Sequence, residues 1–123
     1  MNIKEGPIIL ISTINKEIDF LFESLLTDLG ITKMETMYLR TIYENPGVTQ
    51  YAIAKKRSID KSLVIKYITK LEEKGLIEKK QLDSRRKGLY LTKDGDKAIK
   101  FIDGFLPKLQ EKFQSLFTKN EFE

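Results

Sequence analysis

The chain has 123 residues, of which 41% are apolar and 33% are charged, the length and balance of one globular domain. It contains no cysteine and no histidine, which excludes disulfides, Cys/His metal sites and histidine-based catalysis. The longest apolar run near the amino terminus, residues 8–11, is far shorter than a membrane span or a signal-peptide core, so we expect a cytoplasmic protein without a membrane segment.

The positive charge of the chain is concentrated in its middle. The formal net charge is +4. Between Thr49 and Thr92 there are twelve Lys/Arg and five Asp/Glu residues, a net charge of +7, whereas the rest of the chain has a net charge of −3. This asymmetry indicates a segment that binds a polyanion. The alternative is that these lysines only solvate an exposed helix face.

Two helices are predicted before this basic segment. Apolar residues at steps of three and four after Gly6-Pro7 predict a long amphipathic helix that ends at Gly30. The T-x-x-E spacing of residues 32–35 predicts a second helix start, and Asn45-Pro46-Gly47 predicts its end. The apolar positions of the first helix are Leu10, Ile14, Ile18, Leu21, Leu25 and Leu29, and the expected inward residues of the second are Met34, Met37, Tyr38 and Ile42.

The next segment predicts a helix-turn-helix. Thr49 can cap a brief helix through about Lys56, and Asp60 can cap another that ends at Gly75. Two helices joined by a turn of three or four residues form this motif. The second helix has an apolar stripe of Val64, Tyr67, Ile68 and Leu71. Its opposite face presents Lys61, Ser62, Ile65, Lys66, Thr69 and Lys70.

A hairpin and a final helix complete the pattern. Two short apolar segments, Ile77–Leu82 and Leu89–Leu91, flank a polar tip at residues 83–88 that contains glycine, which is typical of a hairpin. From Thr92 a long amphipathic helix is predicted, with a kink or restart near Gly104 and Pro107. The T-x-x-E spacing of residues 118–121 predicts the start of a further helix. The expected inward residues are Ile99, Ile102, Phe105, Leu106, Leu109, Phe113, Leu116 and Phe117.

Three local motifs in this order resemble the MarR (multiple antibiotic resistance regulator) family of winged-helix transcription factors. Leu71-Glu72-Glu73-Lys74-Gly75-Leu76-Ile77 is similar to the exit of its recognition helix. Asp83-Ser84-Arg85 is similar to its D-x-R wing motif. Leu91-Thr92-Lys93-Asp94-Gly95 is similar to its L-T-x-x-G junction between strand and helix. The likeness covers nearly the whole chain.

The resemblance implies a mainly α fold with a small β-hairpin wing: a winged helix-turn-helix with long terminal dimerisation helices. We expect a single domain over residues 1–123, with a DNA-binding lobe at 32–92 and a helical dimerisation region at 7–30 and 93–123. The implied partners are double-stranded DNA and a second copy of the chain, with each recognition helix in a major groove and each wing in a minor groove. A small-molecule effector of unknown identity is left open.

Several residues are expected to contact DNA. The resemblance places Ser62, Lys66 and Lys70 of the recognition helix and Arg85 of the wing against the duplex. The spacing of Lys61, Lys66 and Lys70 along one helix face suits contacts to phosphates and guanine edges. Arg85 at the hairpin tip is suited to a narrow minor groove, with Asp83 two residues earlier orienting it. The further candidates for phosphate contacts are Arg86 and Lys87.

Some residues have two interpretations. Ile65 stands where the family commonly has threonine; it could contact a thymine methyl group or form the boundary of the core. Asp83 and Gly88 could serve only as turn formers. Lys55, Lys56 and Arg57 are expected to be solvated.

The sequence favours a binding function over a catalytic one. The remaining candidates for catalysis are carboxylates one or two residues apart, such as Asp94 with Asp96 or Glu72 with Glu73, and these do not face the same point on a helix. We expect no enzyme activity and no cofactor. The predicted function is sequence-specific DNA binding by a homodimer that regulates transcription, most often as a repressor at a pseudo-palindromic operator. The alternatives are a winged-helix protein–protein assembly module and a non-specific architectural DNA binder.

Overall fold

The computed structural model describes residues 6–122, with the side chains at 106, 112, 113 and 115–122 excepted. Five helices and one two-stranded antiparallel sheet are seen in this range, which confirms the predicted mainly α architecture with a hairpin. In chain order the elements are α1 (Gly6–Leu29), α2 (Lys33–Glu44), α3 (Gln50–Arg57), α4 (Lys61–Glu73), β1 (Ile77–Gln81), β2 (Lys87–Leu91) and α5 (Lys93–Phe122).

The chain forms two compact units. One comprises residues 33–104, which include α2, α3, α4, the hairpin and the first part of α5. Among the described residues, the other comprises 6–32 and 105–122, which include α1 and the rest of α5.

The helix-turn-helix begins and ends where its sequence signals predict. The Thr49 hydroxyl accepts a hydrogen bond from the Ala52 amide at 3.1 Å and so caps α3. The Asp60 carboxylate accepts one from the Ser62 amide at 3.3 Å and caps α4. Gly75 follows α4 with a φ of +73°, a left-handed conformation in which glycine is the least strained residue.

The turn between α3 and α4 contains a conformation that its residue types do not indicate. Ser58 has a φ of 52° and is the sole residue other than glycine with a positive φ among those described. Its amide donates to the Lys55 carbonyl, and the amide of Ile59 donates to the Ala54 carbonyl at 3.0 Å. These bonds satisfy carbonyls at the end of α3, which allows the chain to reverse within three residues.

The hairpin is slightly longer than predicted. Ile77 pairs with Leu91 at its base and Gln81 with Lys87 at its far end. Lys87 and Gly88 therefore belong to β2 and not to the tip. The strand is extended because the Leu82 amide donates to the Arg86 carbonyl at 2.9 Å beyond the last strand pair, so backbone pairing continues almost to the tip.

A buried apolar core holds the 33–104 unit together. Its members come from every element of the unit, because each contributes one apolar face. Fully buried are Tyr38, Leu39, Ile42, Ile53, Val64, Ile68, Leu71, Leu89, Ile99 and Ile102. This set contains seven of the positions predicted as inward on α2, α4 and α5. Three further predicted positions, Met37, Tyr67 and Phe105, are half-buried.

The prediction for the first turn of α2 is wrong at one position. Met34 is exposed, whereas Glu35 is only 2% exposed. The Glu35 carboxylate accepts two hydrogen bonds from Lys74 Nζ, at 2.7 and 2.9 Å. A buried carboxylate needs such partners to offset its lost hydration, so this ion pair joins the start of α2 to the end of α4.

Helix α5 runs without a break through Pro107 to Phe122. Of the two alternatives predicted near Gly104 and Pro107, a kink or a restart, the restart is therefore wrong, and so is the predicted new helix at Thr118. A proline inside a helix removes one amide donor and crowds the carbonyl four residues earlier, yet α5 continues through it over 30 residues. Leu109 of this helix is buried as predicted. The side chains of Leu106, Phe113, Leu116 and Phe117 lie outside the described part of the chain.

Helix α1 has the predicted length but buries little of its apolar surface within one chain. Leu26 is its single buried residue. Ile8 and Phe20 are 68% and 67% exposed, and Ile9, Leu10 and Ile11 are also exposed. Exposed apolar residues in such number are typical of interaction surfaces.

The Tyr38 hydroxyl is a buried polar group that has no hydrogen-bond partner among the described residues. Burial, together with the neighbouring Tyr67, raises the pKa of Tyr38. The two rings stack with centroids 5.2 Å apart, an arrangement that Phe would retain. We expect Tyr38→Phe to raise the free energy of unfolding by about 1 kcal/mol, measured by urea denaturation. A lower stability of the variant would show that the hydroxyl contributes a favourable interaction.

Candidate nucleic-acid interface

Helix α4 presents a polar and cationic face to solvent. Its buried stripe is Val64, Ile68 and Leu71, so the residues on the other side of the helix point away from the core. We call this side the outer face of α4. It consists of the six residues predicted from the sequence, all of them exposed: Lys61, Ser62, Ile65, Lys66, Thr69 and Lys70.

The wing tip, residues 83–86, is organised around one carboxylate. Asp83 Oδ1 accepts hydrogen bonds from the amides of Arg85 and Arg86, both at 2.9 Å. Asp83 Oδ2 accepts from the Arg86 guanidinium at 2.8 Å. Because these donors stabilise the ionised form, first the Arg85 amide and then the Arg86 guanidinium and amide, the pKa of Asp83 is lowered.

This arrangement corrects one detail of the sequence interpretation. Asp83 was expected to orient the Arg85 side chain, but its carboxylate binds the Arg86 side chain and only the backbone of Arg85. A carboxylate three residues before an arginine in a tight turn can reach its guanidinium, whereas Arg85 lies at the apex. In the described part of the chain, the Arg85 guanidinium forms no hydrogen bond or ion pair.

A cleft of about 970 Å³ lies between the wing, α3 and the first turn of α4. Four of the predicted residues line it: Lys61 from α4 and Arg85, Arg86 and Lys87 from the wing. The other lining residues are Thr49, Gln50, Tyr51, Ala52, Lys79, Gln81, Ser84 and Leu89. The remaining predicted residues, Ser62, Ile65, Lys66 and Lys70, do not line the cleft and lie on the outer face of α4.

The cations of the cleft and of the outer face of α4 differ in whether another side chain contacts them. Lys79, which the sequence analysis missed, lies 3.5 Å from Glu72, and Lys70 lies 5.8 Å from the centroid of the Tyr67 ring. Over residues 6–122 as described, Lys61, Lys66 and Lys87 form no ion pair. Their charge is therefore not neutralised within the chain, which suits them to bind phosphate groups.

The sequence analysis also missed Gln50 and Tyr51 on the α3 wall of the cleft. The cap at Thr49 predicts where α3 begins, but no local pattern indicates that the residues after it line a cleft. Tyr51 is 64% exposed and offers an aromatic ring beside the cationic wing.

Other kinds of site have no support among the described residues. Their carboxylates form no group of three or more that could hold a metal ion. None of their helices combines the length and apolar character that crossing a bilayer demands. The acidic neighbours considered for catalysis point elsewhere: Glu72 pairs with Lys79, and Asp96 pairs with Lys100 at 2.8 Å.

The MarR family model matches residues 31–87, which cover α2, α3, α4, β1 and the wing tip. The chain is 27% identical to a mutant of S. aureus MepR bound to an oligodeoxyribonucleotide, with a TM-score of 0.79 over 87% of this chain and 80% of that one. The segment from residue 31 to residue 87 is therefore that of a MarR-type winged-helix protein. The family model includes the first two of the three motifs, at residues 71–77 and 83–85, and the resemblance to this family is thereby confirmed.

Two curated relatives extend the comparison of this MarR-type chain. A protein of Thauera aromatica, described as a candidate transcriptional regulatory protein for the hcr operon, is 31% identical over 100 residues, which are 80% of this chain and 60% of the relative. YybA of Bacillus subtilis, an uncharacterised HTH-type transcriptional regulator, is 31% identical over 94 residues, 75% of this chain and 63% of the relative. The chain thus spans less than two thirds of the length of these relatives.

Proposed function

We propose that this MarR-type protein binds double-stranded DNA sequence-specifically and regulates transcription. The observation that carries the proposal is the placement of Lys61 and Lys87, both without an ion pair among the described residues, on the walls of one cleft beside an exposed α4. The major groove admits an α-helix, and cationic side chains on both sides of the helix can bind the flanking phosphates. The likeness of the fold to a MepR mutant that is bound to an oligodeoxyribonucleotide also supports the proposal.

The active species in this proposal is a homodimer. The exposed apolar residues of α1, such as Ile8, Ile11 and Phe20, leave a surface that a second copy of the chain would cover. A twofold dimer presents two α4 helices, and it predicts a pseudo-palindromic operator with half-sites about 10 base pairs apart. We further propose that the protein represses transcription, because a dimer bound to a promoter prevents other proteins from binding there. A small-molecule effector would act by changing the separation of the two α4 helices.

Binding to random-sequence duplexes at about 50 and 200 mM salt tests the proposal. We expect enrichment of a twofold-symmetric site, and a fall in affinity of about a thousandfold between the two salt concentrations. A protein–protein assembly module would show no steep salt dependence. An architectural DNA binder would show the salt dependence without an enriched sequence. Either result would overturn the proposal.

A Lys66→Ala variant tests the outer face of α4. If Lys66 of each protomer binds one phosphate, the slope of log affinity against log salt should become less steep by about 1.8 for the homodimer. Filter binding across a salt series measures this slope. Lys97→Ala, which removes the same charge from an exposed position of α5, should leave the slope unchanged. An unaltered slope in Lys66→Ala would exclude this lysine from the interface.

A further inference from the structure

Ile65 is an apolar residue on an otherwise polar surface. Its side chain is 42% exposed, whereas Val64 and Ile68 on the buried side of α4 are 0% exposed. Its exposure is therefore that of a surface residue and not of a core residue. A single exposed isoleucine is common on protein surfaces. Whether the exposure of Ile65 indicates a function therefore depends on its position in the helix.

The position of Ile65 places it within the proposed interface. It lies one helical turn after Lys61, which lines the cleft, and one turn before Thr69, because residues four apart share a face. Lys66, which forms no ion pair in the described chain, is its neighbour in sequence. Ile65 thus lies between Lys61, which lines the cleft beside the wing, and the hydroxyl of Thr69 on the same helix face.

We propose that Ile65 reads the 5-methyl group of a thymine in the major groove. This inference rests on the proposed DNA-binding function and names the base that one position of each half-site requires. An isoleucine has no donor or acceptor, so it cannot read the hydrogen-bonding edges of bases. The thymine methyl is the apolar group that the unmodified base pairs display in the major groove.

The chemistry of the side chain suits this role. A β-branched residue in a helix occupies essentially one χ1 rotamer, so Ile65 loses little conformational freedom when a ligand covers it. Burial of one methyl group is equivalent to about a fourfold change in affinity. A homodimer uses the contact twice, so the operator as a whole should respond by about sixteenfold.

Exchange of thymine for uracil isolates the methyl group. Uracil pairs with adenine and presents the same hydrogen-bonding edge, so the exchange removes the methyl and little else. The operator enriched from random duplexes would be synthesised with uracil at each thymine in turn, symmetrically in both half-sites. We expect one exchange to weaken binding of the natural chain by about sixteenfold, and Ile65→Ala to bind both forms of that operator equally.

Leu63→Ala is the matched control. Leu63 lies on the same helix and is 39% exposed, but it is two residues away and so points to a different side. This variant should retain the full preference for thymine over uracil. Circular dichroism of Ile65→Ala should match that of the natural chain, because alanine at an exposed helix position is a good helix former.

The outcomes separate this inference from the proposed function. Equal affinity of the natural chain for every thymine and uracil operator would overturn the inference and leave DNA binding intact. Persistence of the thymine preference in Ile65→Ala would also overturn it, since another residue would then read the methyl. If no sequence is enriched at all, the proposed sequence-specific function fails, and the inference fails with it.

Discussion

A Gly95→Ala variant is expected to lose about 3 kcal/mol of its free energy of unfolding. Gly95 is buried in the first turn of α5, where a β-carbon would overlap the carbonyl oxygen of Leu76 and lie 3.0 Å from its carbonyl carbon. That carbonyl oxygen also accepts the Thr92 amide at 3.1 Å. Because the obstacle is backbone and already hydrogen-bonded, it cannot rotate away as a side chain would.

Urea denaturation followed by circular dichroism measures this loss. Gly104→Ala is the matched control. Gly104 lies in the same helix, and apart from its own turn of helix no described atom lies within 4 Å of the position that its β-carbon would take. There, alanine should stabilise the protein by roughly 0.5 to 1 kcal/mol through its higher helix propensity. Equal stability of Gly95→Ala and the natural chain would show that α5 can move away from Leu76 at no cost.

The Arg85→Ala variant is expected to lose about a hundredfold in affinity for the operator. Arg85 is exposed at the apex of the wing, and among the described residues its guanidinium has no partner, whereas Arg86 is bound by Asp83. An arginine in a narrow minor groove benefits from the enhanced negative potential there. About tenfold per contact, applied to both wings of a homodimer, gives the expected loss. Fluorescence anisotropy with a labelled operator at fixed salt measures it.

Two controls make the Arg85 result interpretable. The stability of Arg85→Ala should lie within about 0.5 kcal/mol of the natural chain, because the residue is exposed. Lys97→Ala on α5 removes the same formal charge outside the cleft and should change affinity less than twofold. If both variants lose affinity equally, the effect is one of net charge, and the wing does not make a specific contact.

Much of the winged helix-turn-helix could be predicted because its signals are local. Thr49 and Asp60 cap their helices as expected. Gly75 adopts the left-handed conformation that its position after α4 implies. The L-T-x-x-G motif has a physical basis in the structure: the Thr92 hydroxyl donates to the Gly75 carbonyl at 2.6 Å and accepts from the Gly95 amide at 3.1 Å.

The errors arose where residues distant in sequence decide the outcome. The sequence around α2 gives no indication that Glu35 is buried, because the lysine that compensates it lies 39 residues away. The choice of Asp83 between Arg85 and Arg86 depends on the path of the turn and not on spacing. Pro107 does not end α5. An interior proline either kinks or breaks a helix, and the local sequence does not decide between these outcomes.

The exposure of the candidate residues could be predicted from the sequence, but the shape of the surface that they form could not. All eight candidate residues on α4 and the wing are exposed, since charged residues on the polar side of an amphipathic helix or at a hairpin tip seldom lie inside. The cleft that brings Lys61 near the wing follows from tertiary packing. Gln50, Tyr51 and Lys79 line it, and no local pattern distinguishes them from ordinary surface residues.

The carboxylate of Asp83 affects the thermodynamics of the proposed DNA binding. Four hydrogen-bond donors of Arg85 and Arg86 already surround it in the free protein, so the tip is preorganised and its ordering entropy need not be supplied on association. Because the pKa of Asp83 is lowered, this order is present above the unfolded-state value of about 3.9 and is lost only as the pH falls through the lower folded-state value. The tip that carries Arg85 therefore keeps these hydrogen bonds throughout the neutral pH range.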